Sequence, residues 1–206
     1  MRRMMILATG IAALGLMACQ RETAAGSDAT ASPSASAAAP TAPAATSSPD
    51  DEIAQLKAVT PLDACATLTQ DKLKAVYPDL AFAVHQAVAP QMSGYMWDSR
   101  CSYRAGVGTI EFAKDAPTHS VDIMIGTVVS EAKAQANLAS RADLAKSTNG
   151  FQPQPDLGAN AYAVTDVAMA RLYFVKGQSE IEIDVSDLNT PNAEKIAKAV
   201  ALAKSL

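Results

Sequence analysis

Few side chains in this 206-residue sequence have the type and spacing to do chemistry. The histidines are His85 and His119, and no His pair lies at helical spacing. A zinc site needs three or four converging His, Cys or carboxylate ligands, so no metal and no cofactor is expected. His85 reads as a partly exposed strand residue, and His119 as a loop residue after Pro117. Glu180, Glu182 and Asp184 alternate with Ile181, Ile183 and Val185. That alternation puts the three carboxylates on one strand face, expected to be wet. Two converging carboxylates are what glycoside hydrolysis requires. A hydrolase acting on an envelope polymer through Glu180, Glu182 and Asp184 is therefore the alternative function. No Gly-x-Ser-x-Gly elbow is present, and Gly106 and Gly108 are too few for a phosphate loop. An enzyme is not the expected reading.

Recognition chemistry is better represented. Met92-Ser-Gly-Tyr-Met-Trp97 holds the single Trp, with Tyr95, Met92 and Met96, in a stretch read as a loop over 90–98. Aromatic and Met side chains are enriched at recognition surfaces. Met92, Tyr95, Met96 and Trp97 are thus the candidate binding residues. Two readings of Trp97 stand: a contact residue, or a lid folded over a disulfide.

The N-terminus decides where such a module sits. Arg2 and Arg3 precede an uncharged apolar run from Met4 to Met17. The run is short for a membrane span, and its flanks are those of a signal peptide. Leu16-Met17-Ala18-Cys19 resembles a bacterial lipobox. The resemblance implies cleavage after residue 18 and acylation of Cys19. Each buried CH₂ contributes roughly 0.8 kcal/mol, so two or three chains on one residue anchor durably. Gln20, rather than Asp, follows the cysteine. In a Gram-negative envelope this implies the outer membrane, with the domain facing the periplasm.

Residues 19–52 read as the lipidated cysteine and a linker of Ala, Ser, Thr and Pro. It has too few large apolar residues to offset chain entropy, and is expected to be disordered. A flexible chain of that length averages about 30 Å end to end. Without Arg2 and Arg3, Lys plus Arg falls from 17 to 15 against 21 Asp plus Glu, a net charge of −6. No basic cluster follows Cys19, which argues against nucleic acid as a partner. The expected partners are the membrane, through the acyl chains, and a protein of the cell envelope.

Residues 53–206 have the size of one domain with a real core. Cys65 and Cys101 are expected to be joined, since an exported domain rarely keeps two free thiols. The alternative is a reactive thiol at Cys65 beside a helix start. Thr69 caps a helix that Pro78 stops, and Ser130 caps a helix over 131–147. Strands are expected near 80–88, in a hairpin over 99–113, and over 121–125, 161–165, 167–175 and 179–185. Thr190 and Pro191 open the last helix. This order predicts an α+β fold: an antiparallel sheet of about six to seven strands packed with helices, in a single domain with one disulfide.

Four short motifs carry a further resemblance: Asp-Ala-Cys-Ala-Thr-Leu-Thr at 63–69, Cys-Ser-Tyr at 101–103, Asp-Leu-Gly-Ala-Asn-Ala-Tyr at 156–162, and the turn at 172–178. They resemble a family of uncharacterised, mostly actinobacterial lipoproteins with an Asp-Pro-Cys start and a Leu-Gly-Asp-x-Ala motif. Ala64 stands at the family's Pro position, Thr67 at its first Leu, and Asn160 follows Gly158-Ala159. That family brings no catalytic residues. The function expected is a lipid-anchored, non-enzymatic binding or protein-interaction module. An immunity protein against a secreted toxin is one concrete form.

Overall fold

The computed structural model describes residues 48–106, 118–187 and 189–206. The lipobox with Cys19, nearly all of the linker, and the expected strand around Ile110 and Phe112 lie outside the described residues. Seven antiparallel strands form one sheet in the order β1-β2-β3-β7-β6-β5-β4. They are β1 (Ala83–Ser93), β2 (Met96–Ala105), β3 (His119–Thr127), β4 (Gln152–Pro153), β5 (Tyr162–Thr165), β6 (Met169–Lys176) and β7 (Ser179–Asp187). The helices are α1 (Pro49–Lys57), α2 (Ala64–Thr67), α3 (Gln70–Val76), α4 (Glu131–Ala145) and α5 (Asn192–Ser205).

Strict alternation explains the inner face. Tyr103, Cys101, Val121, Ile123, Ile125, Ile181, Ile183, Val185, Leu172 and Phe174 all point into one core. α5 closes it with Ile196, Ala199 and Leu202, and α2 and α3 add Ala64, Leu68 and Leu73. The Cys65–Cys101 disulfide fastens α2 to the middle of β2 across a separation of 36 residues. Constraining a loop of that length contributes about 3–4 kcal/mol in chain-entropy terms. Ser99 reinforces the join. Its hydroxyl accepts from the Ala64 N–H at 2.9 Å and donates to the Val88 carbonyl at 3.0 Å.

Three local outcomes differ from the sequence reading. The stretch 90–98 is not a loop. β1 runs on to Ser93, Gly94 and Tyr95 turn the chain, and Ser93 pairs with Met96. Gly94 supplies the left-handed conformation at φ 58°. Pro90 sits in a bulge between the Val88–Arg100 and Gln91–Asp98 pairs, on a sheet-edge strand where a missing N–H is tolerated. α1 starts at Pro49, inside the stretch read as linker. Ser48 and Asp51 form a reciprocal capping box, and Pro49 takes the first-turn position where Pro is favoured. Thr190 does not cap α5, whose N-cap is Pro191; its hydroxyl donates to Asp187 instead.

Candidate functional site

The outer face of the sheet carries the chemistry, and α4 divides it. Leu138 and Ala142 of α4 bury against the aromatic side of β5 and β6, with Ala134 buried on the same helix stripe. There Phe151, Tyr162 and Tyr173 stack at 5.4 and 4.8 Å between successive ring centroids. The Arg141 guanidinium lies 4.8 Å above the Tyr173 ring. Among the described residues, strands β1, β2 and β3 receive no such cover on this face.

The three carboxylates of β7 are therefore not a wet face. α4 lies over Glu180 and Glu182, which alternation along one strand cannot reveal. Glu180 is 7% exposed. It accepts from Asn137 Nδ2 at 2.7 Å and from Arg141 Nη1 at 3.4 Å. Glu182 accepts from Arg141 Nη2 at 3.4 Å and from the Tyr173 hydroxyl at 3.1 Å. Asp184 sits beyond the reach of Arg141's bonds. Its Oδ1 is buried and has no hydrogen-bond partner among the described residues. Burial pushes its carboxyl up to about 7, Glu182 and Asp122 add to the rise, and Arg171 and Arg100 oppose it. Two of the three carboxylates are thus engaged by one arginine, and the third holds a proton near neutrality.

A groove of about 460 Å³ opens beside this network, on the uncovered half of the face. Met96, Asp98, Arg100, Met124, Gly126 and Val88 line it, and Arg141, Glu180 and Glu182 form its far wall. Asp98 and Arg100 alternate on β2 with Ser99 between them, so both face the groove. Among the described residues Asp98 makes no side-chain hydrogen bond or ion pair. Arg100 donates only to the Met124 thioether, at 2.7 Å, and sulfur is a weak acceptor. Gly126 pairs with Asp98 on one side and Glu180 on the other. A Cβ there would meet Met96 Sδ at 3.3 Å and Asp98 Oδ1 at 3.9 Å. The missing side chain leaves the floor open at that point. A smaller hollow of about 240 Å³ continues past Arg100 toward Asp184 and the Arg104–Asp122 pair, whose charged atoms are 3.2 Å apart.

The residues singled out in the hairpin do not form one patch. Met92 pairs with Trp97 and Ser93 with Met96, so Met92 and Trp97 share one face and Met96 the other. Met96 joins the groove. Trp97 is half-buried, and its indole N–H donates to the Leu56 carbonyl of α1 at 3.0 Å. Met92 and Tyr95 remain exposed, at 41% and 49%. His85 is exposed at the other bulge of β1.

His119 opens β3 rather than sitting in a loop. Its Nε2 is 3.1 Å from Asp187 Oδ2, and its Nδ1 is 2.9 Å from Thr118 Oγ1. This hydroxyl–imidazole–carboxylate chain lines neither hollow. Burial alone would raise the Asp187 carboxyl, but the Thr190 hydroxyl, the Asn189 N–H and His119 hold it below the ordinary value. Nothing in the sequence spacing pointed to it, because the Asp comes from a strand 68 positions away in the chain. Lys195 was also missed. It is 1% exposed, and its ammonium donates to the Ala168 carbonyl at 3.1 Å and the Val167 carbonyl at 3.4 Å. It ties α5 to the turn between β5 and β6. Among the described residues no group of three or more His, Cys, Asp or Glu is placed to hold a metal ion.

Comparison with known proteins bears on the fold. No family model matches the chain, and no curated protein does. The extracellular domain of PknH from Mycobacterium tuberculosis is similar in structure, with a TM-score of 0.53 and 11% identity. The match covers 71% of this chain and 97% of that one. At that identity the likeness concerns the arrangement of strands and helices. Among the described residues no helix is long and apolar enough to cross a membrane.

Proposed function

We propose that this protein is a lipid-anchored binding module of the cell envelope, and that its ligand lies in the groove on the open half of the sheet. One observation carries the second part: Asp98 and Arg100 face an open groove with their charges unpaired. Charged groups that face a pocket without a protein partner are free to meet a ligand, and ligand sites are where such groups are found. The acyl anchor on Cys19 rests on the lipobox resemblance. The disulfide supports an exported, oxidising location. A hydrolase working through the carboxylates ranks second, because Arg141 occupies both Glu180 and Glu182. A nucleophile or base held in two charge-assisted bonds is poorly placed to accept a proton.

Two experiments test this reading. Labelling with a clickable palmitate analogue should mark the wild type and miss Cys19→Ser; equal labelling removes the anchor. Capture of envelope material on the full-length protein should be lost with Gly126→Val, which fills the groove. It should survive Met92→Ala with Tyr95→Ala at the hairpin tip. The opposite pattern would transfer the binding role to the hairpin.

A further inference from the structure

We infer that the groove takes a short peptide with free termini, its amino group on Asp98 and its carboxylate on Arg100. This rests on the groove being the binding face and names the class of its occupant. The charges select the ligand. Arg141 is already shared between Glu180 and Glu182, so the far wall has little cationic capacity to offer. Asp98 and Arg100 are the opposite charges left available among the described groove residues. A purely anionic ligand would gain Arg100 but meet Asp98, Glu180 and Glu182. A purely cationic one would gain Asp98 and meet Arg100. A ligand carrying both charges satisfies both side chains.

Spacing narrows the class. The Cα atoms of residues i and i+2 of a strand stand about 6.5–7 Å apart, and the flexible Arg100 side chain can set its charge at a like distance from Asp98. An extended dipeptide spans about the same length, whereas the charges of a single amino acid are closer together. The volume, about 460 Å³, falls in the ordinary range for small-ligand sites. Gly126, across from Asp98, lets a ligand backbone come down onto the sheet. Met96, Met124 and Val88 offer an apolar, adaptable lining for the peptide's side chains.

The test titrates isotope-labelled full-length protein with leucyl-alanine, its N-acetyl form and its C-amide form, read by amide shifts in β2 and β3. Saturable shifts at Gly126 and Arg100 are expected with the free dipeptide. Blocking either end should weaken binding at least tenfold. Arg100→Gln should erase the preference for a free carboxylate, and Asp98→Asn the preference for a free amine, while each keeps the other preference. Equal affinity for free and blocked peptides, or no saturable shift with the free one, overturns the inference. That result leaves the groove itself open to another ligand, since its role as binding face is decided by envelope capture with Gly126→Val.

Discussion

The two halves of the outer sheet face are built from the same kind of strand yet end in opposite states. On β7 Glu180 and Glu182 are roofed by α4 and paired with Arg141. On β2 Asp98 and Arg100 stand open around a groove. The inner residues of β2 and β3 and those of β6 and β7 enter the same apolar core. What separates the halves is one helix whose small residues Ala134 and Ala142 allow close approach to the sheet. Alternation along a strand therefore says which residues share a face, and leaves undecided whether that face is covered.

The largest expected effect breaks the covered half. Arg141→Ala strips Glu180 and Glu182 of their common cation under α4, with Glu180 nearly buried. Denaturant unfolding should show a loss of about 2–3 kcal/mol, because the charges left behind are desolvated without a partner. The matching change on the open half, Arg100→Ala, should cost under about 0.5 kcal/mol, as for a surface substitution. Equal costs would remove the distinction between the halves.

Asp184 lies at the boundary, and its behaviour with pH should show it. Its folded value, raised to about 7, exceeds the ordinary aspartate value of 3.8. Between those values the folded state holds a proton that the unfolded state has lost. Stability contributed by this group therefore falls as pH rises from about 4 to 7, and the penalty is complete above that range. Asp184→Asn should thus stabilise clearly at pH 8 and by almost nothing at pH 4. Thermal melts at both values check it, and a pH-independent effect would contradict the assignment.

Gly126→Val should move stability little, by under about 1 kcal/mol, since Val suits a strand and the Met96 side chain can yield. A collapse of the fold would mean that the groove floor is packed rather than open. On the hairpin, Trp97→Ala should cost about 2–3 kcal/mol through lost packing and the lost indole bond to the Leu56 carbonyl. Tyr95→Ala should leave the melt unchanged.

Much of the fold was legible in the sequence, for identifiable reasons. Ser130 before a run with Ala134, Leu138 and Ala142 marks α4, and the alternation around Lys176-Gly177 marks the β6–β7 hairpin. The cysteine pairing followed from compartment and count. The β1–β2 hairpin was obscured because Pro90 and Gly94 are loop signals that here mark a bulge and a turn. α1 carried a readable signature, Ser48-Pro49 followed by three acids, but it stood at the end of a long stretch of Ala, Ser, Thr and Pro. The groove was out of reach. Asp98, Arg100, Met124 and Gly126 become neighbours only through the β2–β3 register, and among the described residues α4 lies over the other half of the face. Lys195 likewise depends on carbonyls from a distant turn.

The central claim is that the open half binds and the covered half does not. Photo-crosslinking in intact cells tests it directly. A benzophenone side chain is placed at Gln91, on the groove rim, or at Leu144, exposed on α4 over the covered half. The purified proteins are then compared by mass. The account predicts an adduct from Gln91 that Gly126→Val abolishes, and none from Leu144. An adduct from Leu144 alone, or one from Gln91 that survives Gly126→Val, would contradict it.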